Sequence, residues 1–292
     1  MTNGPLTYVA ITPARDEAAN LRQLADCLAD QTVIPLRWLV VDNGSTDDTP
    51  SICAALAQRH GWIRVLRTTG TGQPVRGAGV VRAFHAGFAE LDVSSDVVVK
   101  LDADVTMAAD YFERQLAAFA DDPKLGMASG AELVEENGDW KTRHQARASV
   151  VWGPARAYRW NCLLDVLPLE ERMGWDAVDE FKANVRGWRT GVLPGLEYRH
   201  HRPEGERDGA RLRFWSTEGN AAFFMGYRPS YLVARSLYRA LREPAAVAML
   251  AGYAAAAIRR EDRLSDRRAT EYLRSQQRLR TLWLRTREVR GV

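Results

Sequence analysis

One nine-residue stretch constrains this chain more than any other. Residues 97–105, Val-Val-Val-Lys-Leu-Asp-Ala-Asp-Val, carry a run of β-branched residues into two carboxylates separated by one alanine. Such a run reads as a strand buried in a parallel sheet. Side chains alternate along a strand, so positions i and i+2 share a face. Asp102 and Asp104 are therefore predicted to converge at the strand's carboxyl end, where open α/β sheets bind ligands. Two hard oxygen donors there suit Mg2+ or Mn2+, and such a metal suits a diphosphate. An acidic strand-to-loop turn is the competing reading, and a short motif alone does not choose between them.

The residues before this stretch repeat one pattern. Residues 7–12, 37–42 and 62–66 read as strands, and 18–29, 49–59 and 80–91 as helices. Residues 43–49, Asn-Gly-Ser-Thr-Asp-Asp-Thr, are turn and helix-capping chemistry. The alternation predicts an α/β fold, a mainly parallel sheet flanked by helices. Arg15 and Asp16 follow the first strand and Asp42 closes the second, so one sheet edge gathers the polar groups of a nucleotide cleft. The glycine-rich residues 69–79 lack the Gly-Lys-Ser/Thr ending of a P-loop, and the first βα turn lacks Gly-x-Gly-x-x-Gly. P-loop hydrolysis and nicotinamide chemistry are disfavoured.

A net charge of +3 gives no case for a nucleic-acid partner. Cys27, Cys53 and Cys162 are scattered without metal spacing, which points to a reducing cytoplasmic compartment. No signal peptide is visible, and no run approaches the roughly 20 apolar residues of a membrane span.

The chain resembles the family 2 glycosyltransferases. Residues 9–17, Val-Ala-Ile-Thr-Pro-Ala-Arg-Asp-Glu, look like that family's opening, and residues 39–47 like its second signature. Residues 79–87 are similar to the helix preceding its Asp-x-Asp strand, and residues 101–104 match the Asp-x-Asp motif itself. The resemblance spans about residues 7–201 and implies a GT-A fold that binds a nucleotide-diphospho-sugar donor. It implies that Pro13, Arg15, Asp42, Arg82 and Asp102 meet the nucleotide. Asp104, with Asp102 and His201, would hold Mn2+ or Mg2+. A rival stands beside it, because residues 102–106 also fit the Asp-x-Asp-x-Thr motif of haloacid-dehalogenase-like phosphatases, normally found near the start of the chain. A non-catalytic sugar-nucleotide-binding protein is the third reading.

The catalytic region is expected over residues 1–213, with a nucleotide half to about 105 and an acceptor half beyond. There residues 125–130 read as a strand, 131–148 as charged surface, and 155–164 as a helix. Trp152 and Gly153 would line the donor or acceptor pocket. Residues 174–183 form a helix on which Asp176, Asp179 and Glu180 share a face. In the family an acidic pair opens this helix and its aspartate is the general base of inverting members. Asp176 takes that place, with Trp175 where the glutamate would be. Residues 202–213 read as a lid, with Arg211 and Arg213 as phosphate contacts.

Residues 214–292 are expected to form a helical, basic C-terminal extension. From Arg259 onward eleven arginines face five acids. Such helices suit peripheral contact with the cytoplasmic face of the inner membrane, packing on the catalytic domain, or a homo-oligomer contact. The acceptor implied is a cell-surface or lipid-linked glycan.

Overall fold

The computed structural model describes residues 4–69, 77–143, 151–202 and 211–278. The described elements run β1 (Tyr8–Ala14), α1 (Ala18–Ala29), β2 (Arg37–Asn43), α2 (Thr49–Arg59), β3 (Ile63–Thr68), α3 (Ala78–Ala89) and β4 (Val97–Leu101). Then come β5 (Val105–Met107), α4 (Tyr111–Asp121), β6 (Leu125–Glu136), β7 (Asp139–Thr142), β8 (Ala155–Arg159), α5 (Trp160–Val166), α6 (Trp175–Val185) and β9 (Arg189–His200). Four α-helices follow among the described residues: α7 (Arg211–Phe224), α8 (Pro229–Ala240), α9 (Ala248–Ile258) and α10 (Arg267–Gln276).

The strands share one sheet, ordered β3-β2-β1-β4-β8-β6-β9-β5, with β7 hairpinned onto β6. The first four are parallel to one another, as the βα alternation predicts. Alternation sorts their side chains into two cores. Ala10, Val40, Val97 and Val99 face α1, α2 and α4, while Val9, Val41 and Val98 face α3, α5 and α6.

Beyond β4 the sheet departs from the sequence reading. Residues 155–159 are a strand, β8, antiparallel to both β4 and β6, and the helix begins only at Trp160. Ala155 and Ala157 enter one core and Tyr158 the other, so a short alternating stretch with both faces buried lacks the polar face that marks a surface strand. The charged stretch after residue 130 is not all surface: β6 runs on to Glu136 and turns through Asn137-Gly138, both at positive φ, into β7. Asn-Gly between two strands is a hairpin signature.

The C-terminal helices pack on the rest of the fold through α6. Val178 and Phe181 of α6 join Ala221, Phe224, Leu264, Ala269 and Leu273 in one buried cluster. Helices α7 and α9 touch backbone to backbone, since a Cβ on Gly252 would stand 1.9 Å from the Ser216 carbonyl oxygen. No helix among the described residues is long and apolar enough to cross a membrane.

Candidate functional site

Parallel strands leave their carboxyl ends on one edge, and there the loops after β1 and β2 are laced together. Asp16, at φ 55°, accepts from the Thr46 N–H at 2.8 Å and donates its own N–H to Ser45 Oγ at 3.0 Å. The Ala18 N–H of α1 donates to Asp47 at 3.2 Å, so the cap of the first helix comes from the second loop rather than from Arg15 or Asp16. Pro13 and Arg15 are half-buried in this loop. Asp42 is buried; its Oδ1 accepts from the Ser45 N–H at 2.9 Å, while its Oδ2 has no hydrogen-bond partner among the described residues. The nearest cation, Arg67, stands at 3.4 Å outside hydrogen-bond geometry. A buried carboxylate oxygen left so is costly unless a ligand N–H or O–H meets it.

Asp102 and Asp104 follow β4 as predicted, but different partners hold them. Asp102 is ion-paired with Lys100 at 2.5 Å, and its N–H donates to the Pro154 carbonyl at 2.8 Å. Burial pushes its carboxyl up against the pull of Lys100, and Asp104 adds to the rise. Asp104 lies 3.4 Å from His200 Nε2 and 3.7 Å from Arg202. Burial would raise Asp104, yet His200 and then Arg202 hold it below the usual carboxylate range.

His200, not His201, faces Asp104. On β9 alternate residues take opposite sides, and Leu196, Tyr198 and His200 are the buried set. His201 points away, 2.8 Å from Thr106 Oγ1 and edge-on to Trp140. The parity of Leu196 and Tyr198 was the signal that could have identified His200. Its Nδ1 donates to the fully buried Glu132 at 2.5 Å, which leaves Nε2 turned to Asp104. Burial would lower the imidazole, but Asp104 and Glu132 push it up to about 10. Arg143 pairs with Glu132 at 3.0 Å, and Arg202 forks onto Glu17 at 3.0 and 2.7 Å, tying the end of β9 to the β1 loop. Nothing in the local sequence marks Glu132, Arg143 or Arg202, because their partners lie far along the chain.

The acids of α6 separate by role. Asp179 and Glu180 do not reach the cleft as their shared helical face suggested, because that face packs on β8 and residues 151–154. Asp179 is buried, bonded to Arg156 and to the Tyr158 hydroxyl at 2.5 Å each. Glu180 accepts from the Val151 N–H at 3.2 Å, and the Val151 carbonyl accepts from Arg156. The Gly153 carbonyl accepts from Lys100 at 3.1 Å, and the Trp152 N–H donates to Ser129. Five of the seven backbone polar groups of residues 151–154 are thereby held. Lys100 and Arg156 stand opposite each other across β4 and β8, a repulsive pairing relieved by their carboxylates and by the Trp175 ring, 5.5 and 5.6 Å away. Asp176, in the first turn of α6, is half-buried, and its carboxylate makes no hydrogen bond or ion pair among the described residues. It reaches the loop at Gly153, where an added Cβ would stand 3.8 Å from Oδ2.

The remaining expected contacts lie at the rim or beyond it. Arg82 pairs with Glu171 at 3.3 Å. Arg211 and Arg213 are exposed at the start of α7, and neither touches Asp104 or His200 among the described residues. Most of the expected lid, 203–210, and most of the glycine-rich loop, 70–76, lie outside the described residues.

Known proteins share this arrangement of strands and helices. An uncharacterised glycosyltransferase of Mycobacterium tuberculosis is 30% identical over 167 residues, 53% of this chain and 70% of that protein. The mannosyltransferase PcManGT of Pyrobaculum calidifontis, solved with GDP-Man and Mn2+, superposes with a TM-score of 0.60 at 19% identity, over 97% of this chain and 84% of that one. TarS of S. aureus, solved with UDP, superposes at 0.56 and 17% identity, over 75% of this chain and 66% of that one. At such identities the two structures speak for the GT-A fold alone. The family model described as glycosyl transferase family 2 matches residues 9–181, from β1 through most of α6. That span takes in every strand end described above except β9, and the chain belongs to glycosyl transferase family 2.

Proposed function

We propose that this nucleotide-sugar glycosyltransferase works with a divalent metal, inverts the anomeric centre, and uses Asp176 as its general base. The observation that carries the reading is a chain of contacts: Asp102 binds Lys100, Lys100 holds Gly153, and Gly153 stands beside the unengaged Asp176 carboxylate. A nucleotide-binding strand end and a free base thus meet on one loop. Asp42, with one buried oxygen that accepts no hydrogen bond among the described residues, is the group for a base or ribose donor, flanked by Pro13 and Arg15. Arg82 stands on the nucleotide side of the cleft, and Trp152 and Gly153 on the sugar and acceptor side.

Asp104 and His200 Nε2 form a two-donor set that suits Mn2+ better than the all-oxygen preference of Mg2+. Among the described residues no three such side chains converge, so donor phosphate oxygens would complete the shell. A bound metal would neutralise charge on the leaving diphosphate. Glu132 accepts from Nδ1, so a metal would take the place of the proton that Nε2 turns toward Asp104. Asp176 takes the proton of the acceptor hydroxyl as its oxygen bonds the anomeric carbon. The bond from that carbon to the diphosphate breaks, and the nucleoside diphosphate leaves with the electron pair. Family membership removes the support for the phosphatase reading. The acceptor is a cell-surface or lipid-linked glycan, met through peripheral membrane contact of the C-terminal helices.

Thermal shift with UDP-, GDP-, dTDP- and CMP-sugars, with and without Mn2+, identifies the donor. With that donor, Asp104→Ala and Asp176→Asn abolish transfer while both variants stay folded by circular dichroism. Undiminished transfer by both variants overturns the assignment.

A further inference from the structure

Helix α8 is apolar on two sides. Its inner side, Leu232, is buried with Trp215, Ala246 and Met249. An amphipathic surface helix shows polar residues on the other side. Here Val233, Leu237 and Leu241, spaced four apart, form a stripe exposed by 44, 56 and 83%. Tyr238 lies beside the stripe at 64%, and Val247, just past it, is exposed too. Exposed apolar residues scattered singly are ordinary, whereas a contiguous stripe marks an interaction surface.

The rim of the stripe is cationic. From Arg228 to Arg242 there are four arginines and no acid. Arg235 is neutralised by Glu218 at 3.2 Å. Arg239 and Arg242 are exposed, and neither joins an ion pair among the described residues. Arg242 follows Leu241, the C-cap of α8, in the turn at the end of the stripe. The basic helix α10 does not offer the same surface, because its apolar residues Ala269 and Leu273 are spent against α6.

We propose that α8 is the membrane-docking surface of this protein, lying in the plane of an anionic lipid bilayer. The aliphatic stripe enters the acyl boundary, Tyr238 sits at the headgroup level, and Arg239 and Arg242 meet anionic headgroups. A second copy of the chain is the poorer occupant, since a two-fold contact through this stripe would bring the arginines of the two copies together. The inference rests on the peripheral-contact part of the proposed function and not on its chemistry.

Flotation of the full chain with phosphatidylcholine vesicles, with and without phosphatidylglycerol, tests it at low salt. Wild type floats with the anionic vesicles. The Leu237→Ser/Leu241→Ser variant loses at least about tenfold in vesicle affinity. Arg239→Gln/Arg242→Gln loses on the order of twentyfold, a difference that fades at high salt. Circular dichroism and retained nucleoside-diphosphate binding confirm that both variants are folded. Failure of wild type to bind, or equal binding by the Leu237/Leu241 variant, overturns the proposal. So does a wild-type dimer that this variant converts to a monomer with no vesicle binding by either. Loss of sugar transfer with vesicle binding intact would count against the catalytic reading and leave this surface standing.

Discussion

The two halves of the sheet hold their site residues by different means. In the half built on β1, β2 and β4, the carboxylates arrive at the ends of parallel strands, and neighbouring loops share hydrogen bonds such as Asp16 with Thr46. In the other half, Asp176 depends on a backbone segment pinned from below by buried Arg156, Asp179 and Glu180. The first half makes its cleft from chain order. The second makes it from charge satisfaction inside the core, where one missing partner strands another charge.

The sharpest way to break that contrast lies on α6, where two acids three residues apart should behave oppositely. Asp179→Ala leaves the Arg156 guanidinium buried without its carboxylate, which costs about 3–5 kcal/mol in urea denaturation. Asp176→Asn should leave the denaturation midpoint near wild type and lower kcat by at least about a hundredfold. If Asp179→Ala is as stable as wild type, the buried network does not support residues 151–154.

A smaller effect is expected where the halves meet. Glu132, on β6, orients His200 toward Asp104. Glu132→Gln should weaken Mn2+ binding by about 10–100-fold, read by titration of free Mn2+ in electron paramagnetic resonance. Metal-free nucleotide binding through Asp42 should be unchanged; a loss of both would place Glu132 in general stability instead.

The smallest effect tests how the C-terminal helices join the end of α6. Asp266 caps α10 through the Ala269 N–H at 3.0 Å and pairs with Arg186 at 3.1 Å. Burial would raise its carboxyl, but these two contacts hold it below its ordinary value. A depressed carboxylate stabilises the fold above its unfolded pKa, and that contribution fades as pH falls through the folded value. Asp266→Ala should therefore cost about 1 kcal/mol at neutral pH. The gap from wild type should narrow in acid, which denaturant midpoints across pH can follow.

Legibility in the sequence followed the same division. Residues 7–101 announced their strands and helices, because hydrophobic periodicity and turn residues are local signals. Asp42, Asp102 and Asp104 could be named for the same reason: each ends a recognisable strand. β8 was hidden, since residues 155–159 are short and alternate between two apolar cores. Local pattern does not separate His200 from His201, since two adjacent histidines differ only in strand parity, which the register of β9 against β5 and β6 decides.

By itself, then, the sequence determined the family, the parallel half of the sheet and the carboxylates at its edge. Local pattern suffices where function sits at the ends of regular elements. Tertiary structure alone decided which acid of α6 is left free, which histidine faces Asp104, and which basic helix among the described residues keeps an apolar face in the open. Each is a choice between similar residues close in sequence, and burial makes it: packing on β8 consumed Asp179 and Glu180, and packing on α6 consumed the apolar face of α10. That packing left Asp176 half-buried and unpaired among the described residues, and the outer stripe of α8 exposed.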